Sequence, residues 1–229
     1  MRRALALLAL LGLATPAFAK RPVVVELFTS QGCSSCPPAD ALLSELATQP
    51  GILALAFHIT YWNGLGWRDP FSLDAATDRQ RAYQRTLGTD TIYTPQMVID
   101  GRTDVVGSDR QAVGRAIMRA NTKASVPITL ARGPSGLQIG VAAGMGQARV
   151  MLVGYDSTHS TTVSRGENAG RQLSESNIVR IFADVGSWDG TALSLAVPRP
   201  AAEHAAVILQ DRTGRILGAA VLPASGASG

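Results

Sequence analysis

The chain has 229 residues, 46% of them hydrophobic, with 21 basic against 17 acidic side chains and only 2 cysteines. This is ordinary for a protein that buries a core, and so weak a positive balance argues against nucleic acid or an anionic membrane as partner. Both cysteines lie in one Cys-x-x-Cys, which excludes a scaffold stapled by disulfides, because a bridge across so short a loop constrains the unfolded chain little.

The chain opens with Met1-Arg2-Arg3, an Ala/Leu run from Ala4 to Ala14, and Ala17-Phe18-Ala19 as a small-x-small cleavage pattern. The run is shorter than the ~20 residues of a membrane span. Residues 1–19 therefore read as a signal peptide cleaved after Ala19. The mature chain is expected in the periplasm or secreted, with no stable membrane insertion after cleavage.

Val23 to Phe28 is an apolar run carrying one carboxylate, Glu26, as expected of a strand covered on both faces. Pro37-Pro38 suits the first turn of a helix, where a missing N–H costs nothing, and Leu42, Leu43, Leu46 and Ala47 continue it as a stripe. Ile52 to Ile59 predicts a second buried strand. A loop with Trp62 and Trp67 follows, then a helix from about Ala75 to Leu87 closed by Gly88. Asp100-Gly101 between Gln96–Asp100 and Thr103–Val106 signals a hairpin, and Ser108 with Gln111 a capping box for a third helix. This order of elements is that of a thioredoxin-like core.

Near Lys123 the texture changes to short alternating runs separated by turns. Ile128/Leu130, Leu137/Ile139/Val141, Val150/Leu152, Val179/Ile181, Leu193/Leu195, Val207/Leu209 and Ile216 to Leu222 predict antiparallel strands. The expected fold is an α/β thioredoxin-like domain over residues 20–124 and an all-β antiparallel sandwich-like domain over 125–223. Residues 224–229 form a frayed tail.

The chemistry points to Cys33-Ser34-Ser35-Cys36, which follows a buried strand and opens a helix. A helix start stabilises negative charge, so Cys33 is expected to be an accessible, easily ionised nucleophile and Cys36 the resolving thiol. The two would form a disulfide in the resting state. Thr94-Pro95 precedes the third core strand, where a cis-proline is expected to face the cysteines. Glu26, once buried, could exchange a proton with Cys36, or could simply pair with a neighbour. Thr94, Trp62 and Trp67 are candidate substrate contacts. Arg165-Gly166-Glu167-Asn168 is polar and turn-like, and no chemistry attaches to it.

Two other readings stay open. One is a Cu(I) carrier using Cys33, Cys36 and possibly His58, with Met97 assisting; the other is a binding module whose thiols are idle. The leading reading is an exported thiol–disulfide oxidoreductase acting on protein thiols or disulfides with a redox partner, without bound cofactor or metal.

The segments VELFTSQGCSSCPPAD, FHITYWNGLGWRDPFS, TDRQRAY, YTPQMVIDGR and RGENAGRQL resemble an exported proteobacterial family known as domain of unknown function 1223. The resemblance covers nearly the whole mature chain and implies a thioredoxin-like fold. By comparison with thioredoxins it implies roles for Cys33, Cys36 and Pro95; Glu26 stands one residue farther from the first cysteine than the buried Asp of those proteins. The Ser34-Ser35 dipeptide differs from the Gly-Pro of thioredoxins and from the His-bearing dipeptide of periplasmic oxidants. It favours a reductant or isomerase over a strong oxidant.

Overall fold

In the computed structural model, residues 21–120 and 125–224 are described; the cleavage site expected after Ala19 and all but the first residue of the expected tail lie outside them. Val23–Thr29 forms β1, buried along its whole length. Successive side chains of a strand point to opposite faces, so Val23, Val25, Leu27 and Thr29 face one layer while Val24, Glu26 and Phe28 face the other. The first face receives α1 (Pro37–Ala47) and α3 (Arg110–Ala120) through Ala39, Leu42, Leu43, Leu46, Val113 and Ala116. The second receives α2 (Asp74–Leu87) through Ala76 and Tyr83. Fully burying one such aliphatic or aromatic side chain contributes about 1.5–3 kcal/mol.

β1 pairs in parallel with β2 (Ile52–His58) and antiparallel with β3 (Gln96–Ile99), which pairs with β4 (Thr103–Val106). The three residues between Ile99 and its partner Thr103 include Asp100 and Gly101 at φ of 51° and 62°, the positive angles of a primed β-turn, closed by the Arg102 N–H on the Ile99 carbonyl at 3.0 Å. A side chain at Gly101 is impossible on a second count, since a Cβ there would lie 1.8 Å from the Gly214 carbonyl oxygen. The third helix is capped one residue later than expected: Asp109 Oδ1, not Ser108, accepts the Ala112 N–H at 2.9 Å.

The second half supplies β5 (Ile128–Gly133), β6 (Gly136–Val141), β7 (Ala148–Thr162), β8 (Gln172–Trp188), β9 (Leu193–Val197), β10 (His204–Asp211) and β11 (Ile216–Val221). Two sheets result, an eight-stranded one in the order β11-β10-β7-β8-β2-β1-β3-β4 and a three-stranded one in the order β5-β6-β9. The fold is mixed α/β, with one large sheet and few helices. β5 and β6 pack Leu130, Leu137, Ile139 and Val141 against Val150, Leu152, Val207 and Leu209 of the large sheet, so a sandwich does exist. One of its two layers, however, continues the sheet of the first half. The junction is the parallel pair Ala56↔Ile178, reinforced by Asn177, which adopts φ 52° and donates its side-chain amide to the Ala54 carbonyl at 2.8 Å.

β7 and β8 run far longer than their apolar cores indicated, 15 and 17 residues. They form a hairpin arm whose tip, residues 163–171, reaches back over the first half. Among the described residues no helix is long and apolar enough to cross a membrane.

Candidate functional site

β1 ends at Thr29, and the loop from Ser30 to Cys36 carries the chain into α1. Two successive turns shape it, Cys33 N–H to the Ser30 carbonyl and Cys36 N–H to the Cys33 carbonyl. Cys36 is the N-cap of α1 and prolines hold the next positions. Cys33 and Cys36 are joined in a disulfide with Cα atoms 5.4 Å apart. The motif thus sits at a helix beginning, as expected. The helix begins a turn after Cys33, though, and Pro37 and Pro38 offer no N–H groups to a thiolate. The group that reaches Cys33 Sγ is the Ser35 hydroxyl, 3.4 Å away, which must be the donor because a disulfide sulfur has no proton.

The expected accessibility of Cys33 is not observed. Both cysteines are buried, Cys33 at 0% and Cys36 at 1% exposure, although Ser34 and Ser35 between them are exposed. The closure is therefore one residue deep. Trp62 covers one side, its Cβ 3.3 Å from where a Cβ on Gly32 would lie, and its indole N–H donates to Thr94 Oγ1 at 2.9 Å. The tip of the β7–β8 arm covers the other. Asn168, itself fully buried, donates its amide to the carbonyls of Gln31 at 3.0 Å and Cys33 at 2.9 Å. Glu167 accepts the Ser34 N–H at 3.2 Å, and the Ser34 side chain first, then this N–H, hold its carboxyl below the usual carboxylate range.

The Thr94–Pro95 bond is cis. Pro95 and Ala39 of α1 lie on either side of Gly107, where a Cβ would meet each within 3.3 Å. Thr94, Trp62 and Pro95 thus stand together beside the cysteine loop. Trp67 joins them from the other side, donating its indole N–H to Gln31 Oε1 at 3.1 Å.

Glu26 does not take part. It lies on the opposite face of β1 from α1, ion-paired to Arg79 Nε at 2.6 Å and hydrogen-bonded by the Tyr83 hydroxyl. Of its two expected roles the structure places it in the second, a buried pair.

A different acid occupies the place under the motif. Asp40 sits one helical turn after Cys36, the i to i+4 spacing that puts both on one face of α1. It is buried and accepts a 2.7 Å hydrogen bond from Thr29 Oγ1. Burial first, then the nearby Glu175, push its carboxyl up to about 7. Beyond it, on the same face of the sheet, His58 Nδ1 lies 2.7 Å from Asp69 Oδ2 and His58 Nε2 lies 3.8 Å from Glu175 Oε1. Burial opposes a charged ring, but Asp69 and then Glu175 outweigh it and raise His58 to about 9. Asp69 is correspondingly lowered: the His58 charge, that hydrogen bond and the Gln31 and Phe71 N–H groups overcome its burial. Gln31 ties this cluster to the cysteine loop, donating to Glu175 Oε2 at 2.7 Å.

The cluster was missed in the sequence, apart from His58. Asp40 carried a usable signal in its spacing from Cys36. Gln31 and Glu175, 144 residues apart, carried none. Among the described residues no group of three or more His, Cys, Asp or Glu is arranged to hold a metal ion. His58, expected in the Cu(I) reading to join the two sulfurs, is engaged by Asp69 and faces Glu175, while Met97 is buried in the core between β1 and the helices.

A family model described as a protein of unknown function, DUF1223, matches residues 24–210. The chain belongs to this family. The DUF1223 chain is similar to a protein of Agrobacterium tumefaciens of known crystal structure, 31% identical, with a TM-score of 0.80 over 92% of this chain and 97% of that one. A second structure, HBP35 of Porphyromonas gingivalis, is 13% identical with a TM-score of 0.55 over 88% of this chain and 74% of its own; that likeness is one of fold alone. No curated protein matches the sequence.

Proposed function

We propose that this DUF1223 protein is an exported thiol–disulfide oxidoreductase that exchanges disulfides with polypeptide substrates through Cys33 and Cys36. The observation that carries the reading is the Cys33–Cys36 disulfide at the start of α1 with the buried, protonatable Asp40 one turn beneath Cys36. The parallel β1–α1–β2 unit, the antiparallel β3–β4 hairpin and α3 fit a thioredoxin-like core, to which the second half adds strands at the β2 edge.

In the reductive half-reaction a partner thiolate attacks Cys33 Sγ. The partner–Cys33 bond forms, the Cys33–Cys36 bond breaks, and the electron pair leaves on Cys36. Asp40, protonated near neutrality, hands its proton to that thiolate. A second partner thiolate then attacks its own sulfur in the mixed disulfide and releases Cys33, whose thiolate the Ser35 hydroxyl can bond. Run in reverse, a substrate disulfide is attacked by Cys33, and Cys36 resolves the complex while Asp40 takes its proton.

The reading is tested by insulin reduction and by trapping. Cys33→Ser should abolish turnover, and Cys36→Ala in the exporting cell should accumulate mixed disulfides that a reductant releases. Turnover that survives Cys33→Ser, or a Cys36→Ala variant that captures nothing, would remove it.

A further inference from the structure

The tip of the β7–β8 arm is built as a unit separate from what it covers. Its backbone hydrogen bonds close on themselves: Val163 N–H to the Arg171 carbonyl, Gly170 N–H to Val163, Ala169 N–H to Gly166 and Arg171 N–H to Asn168. Arg171 also holds Asn168 Oδ1 at 2.9 Å, fixing the amide with its N–H groups outward toward the cysteine loop. Except for Val163 and Asn168, every residue of the tip is exposed. Its polar grip on the motif includes the Asn168 bonds to the Gln31 and Cys33 carbonyls and the interaction of Glu167 with the Ser34 side chain and N–H. Close approach is secured by Gly66 and Gly166, both at positive φ, with a Cβ on Gly166 falling 3.2 Å from that of Trp67.

From these contacts we infer that the tip is a displaceable cap on the disulfide, standing in for an extended polypeptide segment that must take its place before Cys33 can exchange. Glu167 supplies a carbonyl-type acceptor and Asn168 an amide donor, the same two groups a peptide backbone offers. Beside the tip, Leu65, whose carbonyl oxygen would lie 3.5 Å from a Cβ on Gly166, is 61% exposed, an apolar contact that suits a side chain of an unfolded chain. Attack on a disulfide needs a line of approach to the sulfur, and Cys33 at 0% exposure has none while the tip is down. A polypeptide thiol can compensate the lost hydrogen bonds as it enters; a small thiol cannot, and must wait for the tip to lift. The purpose of the cap rests on the thiol–disulfide reading, but its existence does not.

The test is the single-turnover rate at which the oxidised, signal-free chain is reduced by glutathione and by reduced, unfolded ribonuclease A, compared per thiol. The wild-type disulfide should react with the polypeptide about tenfold faster or more, and Asn168→Ala and Glu167→Ala should each raise the glutathione rate, by about tenfold for Asn168→Ala, as expected for one or two lost hydrogen bonds. Both variants should narrow the ratio between the probes. Glu203→Gln, in the bend before β10 where it bonds Ser157 rather than any residue of the tip, is the control. If Asn168→Ala does not fold, Glu167→Ala, an exposed substitution, decides alone. Unchanged glutathione rates would overturn the cap, and a wild-type ratio near one would overturn the polypeptide partner. Neither readout needs turnover, so a chain inactive toward insulin would still report on the cap.

Discussion

In the proposed exchange Asp40 is the residue that moves the proton, and its titration has a definite sign. Folding raises its carboxyl from 3.8 to about 7. A raised pKa contributes stability that is whole below the unfolded value and is lost as pH climbs through the folded one. His58, raised from 6.5 to about 9, acts in the same direction at higher pH. The lowered Asp69 acts oppositely, its contribution being present above the unfolded value and lost on acidification. Stability should therefore be greatest in mild acid and fall toward alkaline pH. Asp40→Asn removes a preference worth ~4 kcal/mol at 1.36 kcal/mol per tenfold, so its melting temperature should fall much less than that of wild type from about pH 5 to about pH 7, the remaining slope coming from Glu175, which burial also raises, and from the onset of the His58 titration. The inflection near neutrality in the rate of Cys36 resolution should vanish with it. Parallel melting curves for the two proteins would remove Asp40 from this role.

At the scale of elements, the face of a strand decides what an acid can do. Glu26 and Thr29 belong to the same strand but point to opposite layers. Thr29 reaches Asp40 under the cysteines, whereas Glu26 meets α2, where Arg79 also bonds Gln210 of β10 and lies 4.3 Å over the Phe182 ring of β8. Glu26 therefore fastens the two halves together. Glu26→Ala strands the Arg79 charge in the core and should lower unfolding free energy by about 3–5 kcal/mol, while the glutathione rate of the folded protein stays at the wild-type value. A changed disulfide reactivity at unchanged stability would return Glu26 to the redox site. Alternation in the sequence groups Glu26 with Val24 and Phe28, and the packing of α1 on Val25 and Leu27, which only the structure supplies, then sets it apart from the cysteines.

The first half was legible almost residue by residue: β1, both early helices and the hairpin at Asp100-Gly101 are specified by local patterns such as buried runs, prolines at a helix start and paired positive φ angles. The second half was legible as strands but not in its connections. β7 and β8 extend well past their apolar cores because their outer thirds pair with each other as a two-stranded arm, which needs few core residues. Nothing local marks Asn168 or Glu175 as partners of a loop near the other end of the sequence.

For the whole molecule the consequence is cooperativity. One apolar cluster contains Val24, Phe28 and Tyr83 of the first half together with Val153, Tyr155, Val179 and Ile208 of the second. Separating the halves near residue 124 would expose that cluster and the edge of β2, which presents unpaired backbone groups to solvent or to another chain. The chain should accordingly unfold in one transition, with calorimetric and van't Hoff enthalpies equal and with circular dichroism and Trp fluorescence coincident. The isolated segment 20–124 should aggregate or bind a hydrophobic dye. The same sheet that joins the halves sets the base of the arm that covers Cys33, so the proposed redox site is complete only in the intact chain. Two resolved transitions, or a soluble 20–124 segment whose disulfide reacts as in the full chain, would show that the second half is an attachment to the site rather than a part of it.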